Sequence, residues 1–233
     1  MKVTYLEHSG FVAEYKEYVL IFDWYRGSLP EFDQQKKIYV FASHSHYDHF
    51  NKKIFGWSEQ YPDVRYILSA DIAGKEQSEE QSERTAYVTA NKKYDFDGIK
   101  VQTLHSTDEG VAFIVYMEDK VIYHAGDLNW WHWEEETESY NEQMRQDYQR
   151  EIDKLKDIVI DIAFVPLDPR QENQYAWGMD YFMKHTHTKY VFPMHMWGDY
   201  EVYDRLMENP EAEPYKERVI EVKEPGQVFE VNV

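Results

Sequence analysis

The ten residues FASHSHYDHF at positions 41–50 constrain the fold of this chain more than any other stretch. An apolar run over 38–41 predicts a buried strand, and the polar residues after it predict a turn at the strand's end. Functional sites in α/β sheets tend to lie at such strand ends. Four potential metal ligands lie here within six residues, in the pattern HxHxDH: His44, His46, Asp48 and His49. The stretch therefore predicts a strand that carries a metal site at its end.

The spacing of these four residues favours two ions over one. His44 and His46 are two residues apart, so in extended backbone they project to the same side. The turn at Tyr47 brings Asp48 and His49 round from another direction. One ion does not easily bind all four side chains, whereas two adjacent ions can each take one pair. The remaining ligands would then come from elsewhere in the chain.

The composition predicts a single cytoplasmic domain over 1–233. With 233 residues, of which 42% are apolar, the chain can bury a full core. No apolar run approaches the roughly 18 residues that span a bilayer. The first residues, MKVTYL, lead into patterned sequence instead of a signal peptide. These features predict no membrane partner.

The lack of cysteine and the excess of acidic residues limit the chemistry of the site. Without cysteine, disulfides, thiolate zinc sites and cysteine nucleophiles are excluded, so imidazole and carboxylate are the strong metal ligands available. Lys and Arg total 25 against 44 Asp and Glu, a net charge of -19. Such a field repels a long polyanion, which argues against a nucleic-acid partner. A small anionic substrate stays compatible, because bound cations offset the charge locally.

The HxHxDH motif resembles that of the metallo-β-lactamase superfamily of metal-dependent hydrolases. The resemblance extends over most of the chain in the order of its elements, beginning with three short strands that are similar to the superfamily's first hairpin. It implies a mixed α/β (α+β) fold, the four-layer αββα metallo-β-lactamase sandwich. The short chain and its early hairpin are most similar to the branch that contains L-ascorbate-6-phosphate lactonase.

The resemblance also implies three further ligands, each at the end of an apolar strand. His105 would complete the first metal site, and His195 would complete the second. Asp127, in a strand-Gly-Asp element, would bridge both ions. The family more often has a glycine closer behind the histidine that corresponds to His105. Asp108 is therefore the alternative ligand at this position.

The implied cofactors are two divalent metal ions, zinc first, with manganese, iron or nickel as alternatives. Ions about 3.5 to 4 Å apart would share a water and lower its pKa from about 15.7 toward about 7, which makes hydroxide available as the nucleophile. They would also polarise the scissile carbonyl or phosphoryl oxygen. Asp48, which can accept a hydrogen bond from the hydroxide, and the bridging Asp127 are the expected catalytic residues. The resemblance thus implies hydrolysis of a small lactone, ester or phosphoester.

Two other functions stay open, because similarity of fold does not fix the substrate. One is a metal-dependent nuclease or phosphodiesterase, which the charge balance disfavours. The other is a metal-holding protein without catalysis that binds or senses a partner through the tryptophan cluster Trp130–Trp133. Those tryptophans either pack under the following helix or wall a pocket at the metals. The sequence does not indicate an oligomeric state.

Two single residues each have two interpretations, and a third has one. Asp23, at a strand end, either hydrogen-bonds a metal ligand or is an ordinary strand-end carboxylate. Arg170, also near a strand end, either binds a phosphate or carboxylate of the substrate or is a surface arginine. His8 has no partner visible in the sequence and is interpreted as structural.

Patterning predicts the other elements that bear on the site. An acidic helix capped by Asp71 is expected over 71–83, and an amphipathic helix is expected over 138–156. The segment 91–98 is turn-rich. Two final strands are expected over 219–222 and 227–233, separated by a Pro-Gly turn.

Overall fold

Two compact units divide the chain in this computed structural model, which describes residues 1–33, 35–75 and 78–233. The first unit comprises residues 1–89 and 224–233, and the second unit comprises residues 90–223. Each unit contains one mixed β-sheet. The single domain expected over 1–233 stays a prediction.

The strands follow the short apolar runs of the sequence. In chain order they are β1 (Lys2–Glu7), β2 (Gly10–Tyr15), β3 (Tyr18–Phe22), β4 (Lys37–Ala42), β5 (Arg65–Ser69), β6 (Thr85–Val88), β7 (Lys93–Phe96), β8 (Ile99–His105), β9 (Val111–Met117), β10 (Lys120–His124), β11 (Val159–Pro166), β12 (His187–Met194) and β13 (Val228–Glu230).

Two of the α-helices begin after a polar residue whose side chain accepts from one of their first backbone N–H groups. The longest begins after Thr137, whose side chain accepts a hydrogen bond from the Tyr140 N–H at 3.2 Å. Within the described residues, no helix has both the length and the apolar character needed to cross a membrane. The α-helices are α1 (Glu79–Glu83), α2 (Glu138–Ile152), α3 (Trp177–His185) and α4 (Val202–Glu208). The 3₁₀ segments are Lys52–Glu59, Ala70–Ile72, Asp153–Leu155, Pro169–Gln174, Pro210–Ala212 and Lys216–Arg218.

The sheet of the first unit has the order β13-β1-β2-β3-β4-β5-β6. Strands β13, β1, β2 and β3 pair antiparallel, and β3, β4, β5 and β6 pair in parallel. The central strand β4 is buried over its last five residues, as expected for a parallel strand covered on both faces. Phe22 pairs with Phe41, so β3 and β4 end at the same edge of the sheet.

The sheet of the second unit has the order β12-β11-β10-β9-β8-β7. Strands β10, β11 and β12 pair in parallel, and the other neighbours pair antiparallel. His124 pairs with Phe164, and Phe164 pairs with Phe192, so the carboxyl ends of these three strands also share one edge. Both sheets are therefore mixed, which agrees with the mixed α/β class expected from the sequence.

Some elements differ from their prediction. Within the segment expected to be turn-rich, β7 forms over Lys93–Phe96. The expected helix over 71–83 lies partly outside the described residues, and within them α1 begins after Ser78. No strand forms over 219–222, where Val219 makes one isolated bridge to Val191. These elements are short and lie at sheet edges or between strands, where a pattern of a few residues is difficult to interpret.

The Gly178→Ala variant is expected to lose about 1 to 3 kcal/mol of unfolding free energy, which is typical of overpacking. A Cβ at Gly178 would lie 1.9 Å from Oδ1 of Asn129. Asn129 is buried and donates a hydrogen bond from Nδ2 to Gln171 Oε1 at 2.9 Å, so it cannot move without breaking that bond. Denaturant unfolding followed by circular dichroism measures the loss.

Gly56→Ala is the matched control for this substitution. A Cβ at Gly56 meets nothing within 4 Å, and its backbone is not left-handed. The unfolding free energy of the control should equal that of the wild-type protein or exceed it by up to about 1 kcal/mol. Equal stabilities of the two variants would contradict the packing of Asn129 against α3.

Candidate functional site

Three parallel strands of the first unit carry polar residues at their carboxyl ends. Asp23 follows β3, the HxHxDH motif follows β4, and Asp71 lies two residues beyond β5. Because parallel strands end at one edge of the sheet, these distant parts of the sequence meet there. The Ser45 N–H donates to the Asp71 carboxylate at 2.7 Å. Asp71, expected from the sequence to cap a helix, therefore holds the loop of the motif.

Asp23 is fully buried and joins two parts of the motif. It accepts hydrogen bonds from the N–H and Oγ of Ser43, at 2.7 and 2.6 Å. Its Oδ2 also lies 2.7 Å from Nδ1 of His49. An ionised carboxylate is only an acceptor, so the proton of His49 lies on Nδ1 and the lone pair on Nε2. Of its two sequence interpretations, the structure therefore favours Asp23 as the partner of a candidate metal ligand.

His44 and His46 face each other directly after β4. His44 Nε2 and His46 Nδ1 are 2.9 Å apart, and Nδ1 of His44 lies 2.9 Å from Ser43 Oγ. His44 is buried and His46 is half-buried. Two imidazole nitrogens so close either share a hydrogen bond or point at a common cation. The first pair predicted from the HxHxDH spacing is thus brought together.

Asp48 and His49 form a second group, which also includes His8. One ligand atom from each of these three residues lies within 4.8 Å of the others. His8 Nε2 is 3.5 Å from Asp48 Oδ2, and its ring meets the His49 ring edge-on at 5.4 Å. Sequence reasoning missed His8, because a histidine in a His-Ser-Gly turn looks like any other polar turn residue. Its contact with Asp48 depends on pairing across the sheet.

Three parallel strands of the second unit repeat this design. Asp127 lies three residues beyond β10, Asp168 two residues beyond β11, and His195 directly after β12. His195 Nδ1 lies 2.9 Å from Asp168 Oδ2, and Nε2 lies 3.4 Å from Asp127 Oδ1. All three are buried. Asp127 and His195, predicted at strand ends, are therefore neighbours, and Asp168 is an additional partner that the sequence did not reveal.

The charges around His195 change its titration. Burial by itself lowers the pKa of His195, but the charges and hydrogen bonds of Asp127 and Asp168 outweigh it and raise the pKa to about 9. Burial disfavours the charged form of Asp168 as well and by itself raises the pKa of this carboxyl group. Hydrogen bonds from His195 and Arg170 outweigh burial, and the pKa of Asp168 is lowered. Asp168 is therefore ionised at neutral pH and holds Nδ1 of His195.

Arg170 is not an isolated surface arginine, because it hydrogen-bonds the carboxylate of Asp168. Its Nε lies 3.0 Å from both carboxylate oxygens of Asp168, and its Nη2 lies 2.5 Å from Oδ2. The guanidinium also lies over the rings of Trp197 and Trp133, at 4.5 and 5.8 Å from their centroids. The arginine thereby fixes the carboxylate that holds His195.

The tryptophans at 130–133 divide between two roles. Trp131 donates from Nε1 to the Asp127 carbonyl at 2.9 Å, and its ring centroid is 5.5 Å from that of His195. Trp133 stacks on Trp131 at 5.8 Å. Trp130 instead packs against Trp177 of α3 at 5.2 Å. Trp130 thus packs on α3 and not on the helix that follows the cluster, and Trp131 lies beside a candidate ligand. A pocket wall at the metals stays a prediction.

Asp108, not His105, accompanies Asp127. One carboxylate oxygen of each lies within 4.8 Å of the other. Thr107 fixes this proximity, since its Oγ1 donates to the Asn129 carbonyl at 2.6 Å and accepts from the Asn129 N–H at 3.0 Å. His105 is exposed, its N–H donates to Glu151 of α2, and it is not grouped with Asp127 in the described part of the chain. His105 as a ligand stays a prediction.

Several of these residues have left-handed backbone, which is rare outside glycine. The φ angles are 55° for His8, 44° for Asp23 and 62° for His195. Gly126, just before Asp127, has a φ of 53°. Such strain concentrates at functional sites, where surrounding contacts hold the backbone in place.

The residues of both units fit divalent cations. Imidazole nitrogens and carboxylate oxygens suit zinc, manganese, iron and nickel. In the first unit the donors form two groups, His44 with His46, and His8 with Asp48 and His49. In the second unit the donors are Asp108, Asp127 and His195. Two of the histidines have Nδ1 held by a buried carboxylate, the usual support of a metal-binding imidazole.

Solved structures of other proteins share this fold. Igni18, a metallo hydrolase from the hyperthermophilic archaeon Ignicoccus hospitalis, matches with a TM-score of 0.66 over 99% of both chains at 16% identity. The metallo-β-lactamase fold protein YhfI from Bacillus subtilis matches with a TM-score of 0.63, over 98% of this chain and 99% of its own, at 15% identity. At these identities the likeness shows the fold, and it confirms the fold class expected from the sequence.

Residues 2–143, more than half of the chain, match the family model of the β-lactamase superfamily domain. The chain therefore belongs to the metallo-β-lactamase superfamily, as the HxHxDH motif predicts. A UPF0173 metal-dependent hydrolase from Desulforamulus reducens is 30% identical in a match that covers 54% of this chain. The match spans 62% of that relative's length. The similarity to the ascorbate-6-phosphate lactonase branch stays a prediction.

Proposed function

We propose that this protein is a metal-dependent hydrolase that acts on a small lactone, ester or phosphoester. The observation that carries the proposal is the same pair in both units: a buried aspartate beside Nδ1 of a histidine that follows a parallel strand. The pairs are Asp23 with His49 and Asp168 with His195, at 2.7 and 2.9 Å. A plain core histidine needs no ionised partner, whereas a metal-binding imidazole uses one to fix its tautomer.

The proposed ligand set assigns seven of the clustered donors to two ions and leaves His8 as a neighbour of Asp48. His44, His46 and Asp108 would bind the first, with His105 as the alternative to Asp108. Asp48, His49 and His195 would bind the second, and Asp127 would bridge. When bound, the ions would lower the pKa of a water and polarise the scissile bond, which supplies the nucleophile at neutral pH.

The side chains around these ligands would orient and protect the reaction. Asp48 would accept a hydrogen bond from the attacking water and align it, because an ionised carboxylate has oxygens to spare for this role. Trp131 and Trp133 would exclude bulk water on the side of His195. Arg170 would keep Asp168 ionised and in place through its paired hydrogen bonds.

The acidity of the chain supports a small substrate over a long polyanion. A net charge of -19 opposes nucleic-acid binding, whereas one anionic group can be offset by bound cations. The names of the matched relatives, metallo hydrolase and metal-dependent hydrolase, support hydrolysis without naming a substrate.

Elemental analysis tests this proposal. Protein purified without chelator should contain up to two equivalents of a divalent metal, and removal of the metal should abolish hydrolysis. Adding back zinc, manganese, iron or nickel should restore turnover on at least one member of a panel of lactones, esters and phosphoesters. Full activity without metal would contradict the mechanism. Stoichiometric metal without any hydrolysis would favour a metal-holding binding protein.

A further inference from the structure

A cavity of about 560 Å³ in the first unit lies beside the loop that follows β3. Its walls contain four aromatic side chains and one carboxylate: Trp24, Phe32, Trp57, Tyr61 and Glu31. None of the proposed metal ligands lines it. The cavity is thus a separate feature of the first unit, with a chemistry of its own.

The four aromatic rings form two fixed pairs. Trp24 meets Trp57 edge-on at 4.9 Å, and Phe32 stacks on Tyr61 at 5.0 Å. Trp24, Phe32 and Trp57 pack against the buried core of the unit. Trp24 Nε1 donates to the Gly27 carbonyl at 3.1 Å, which ties the indole to its own loop. The rings are therefore held in place, and all four line the cavity.

The charge in the cavity is negative. Glu31 is exposed and lines the cavity together with Tyr61. Burial raises the pKa of Tyr61, a hydrogen bond with Gln60 opposes this, and the charge of Glu31 adds to the rise. Glu31 thus places a carboxylate in the wall that also contains the Tyr61 ring. Among the described residues that line the cavity there is no lysine or arginine.

We propose that this cavity binds an organic cation of the quaternary ammonium or methylated amine class. Aromatic faces attract such cations through the ring quadrupole, and tryptophan does so best. The methyl groups of the cation would pack on the rings, and Glu31 would balance its charge. The overall charge of -19 favours a cation over an anion in the same place. The proposal goes beyond the hydrolase function and does not depend on it.

Isothermal titration with choline and tetramethylammonium tests the proposal on both the metal-loaded and the chelated protein. Both cations should bind saturably with either preparation. The neutral isostere of choline, 3,3-dimethylbutan-1-ol, should bind at least about threefold more weakly, because it lacks the charge that the rings and Glu31 recognise. Equal binding of the isostere, or no saturable binding of either cation up to millimolar concentrations, would overturn the assignment.

Two variants separate the charge from the rings. Glu31→Gln and Phe32→Leu should each weaken choline binding by about 3- to 10-fold, the range expected for one lost cation contact. Glu59→Gln is the matched control, because Glu59 is an exposed carboxylate in the same 3₁₀ segment as Trp57 and does not line the cavity. Wild-type affinity in both variants, or an equal loss in the control, would overturn the proposal. Thermal melting confirms that each variant is folded.

Discussion

The Asp23→Asn variant is expected to fold and yet to bind metal about 10 to 100 times more weakly than the wild-type protein. The asparagine oxygen can still accept the Ser43 N–H, as Oδ1 of Asp23 does at 2.7 Å. Its NH₂ group, however, would face Nδ1 of His49, where Oδ2 of Asp23 now lies. Nδ1 must then accept, which moves the proton of His49 to Nε2 and removes the lone pair that would bind the ion.

Metal titration with a chromophoric chelator as competitor measures this affinity. The loss of a buried charged hydrogen bond should also lower the unfolding free energy by about 1 to 3 kcal/mol. Asp63→Asn is the matched control, since Asp63 is exposed in the same unit and belongs to neither candidate cluster. If folded Asp23→Asn protein bound metal with wild-type affinity, the tautomer of His49 would have no effect on metal binding. That result would refute the proposed role of Asp23.

The His46→Ala variant is expected to lose its first metal ion and to lower turnover by at least about 10³-fold. His46 supplies one of two imidazole nitrogens that lie 2.9 Å apart. Without His46, the remaining ligands would bind the ion weakly. The transition state would then lose the several kcal/mol of stabilisation that a bound metal supplies. Each 1.36 kcal/mol corresponds to about a factor of ten in rate. Because His46 is only half-buried, the fold should tolerate alanine.

Inductively coupled plasma mass spectrometry and hydrolysis of the substrate found in the panel measure these two losses. His185→Ala is the control, because His185 is an exposed histidine at the end of α3, and its Nδ1 contacts the Tyr181 carbonyl at 2.8 Å. The control should keep wild-type metal content and activity. A metal-free His46→Ala protein with full activity would refute the mechanism.

The sequence predicts those parts of the site that depend on local patterning. The apolar run before the HxHxDH motif indicates β4, and the motif then lies at the strand's end, as observed. Asp127 and His195 were also expected at strand ends and lie there. These predictions succeed because alternation and apolar runs report burial directly, and because parallel strands place their carboxyl ends at one edge.

The partners of the ligands could not be predicted in the same way. Asp168 contacts His195 across 27 residues of sequence, and Asp71 contacts Ser45 across 26. Such contacts depend on strand order and register, which an apolar pattern does not encode. The proximity of Asp108 to Asp127 depends likewise on Thr107, whose hydroxyl joins two turns. The half-exposed strand β7 was missed because its alternation, KYDF, extends over four residues only.

The left-handed backbone of Asp23 and His195 has a consequence for engineering. A design method that considers backbone strain alone would favour glycine at both positions, because glycine adopts this conformation without a steric penalty. That change would remove a side chain on which the assigned chemistry depends. Thermostabilised versions of this protein should therefore be sought among left-handed positions outside the two clusters, such as Lys16 and Glu118, where glycine can relieve the backbone at no expense to catalysis.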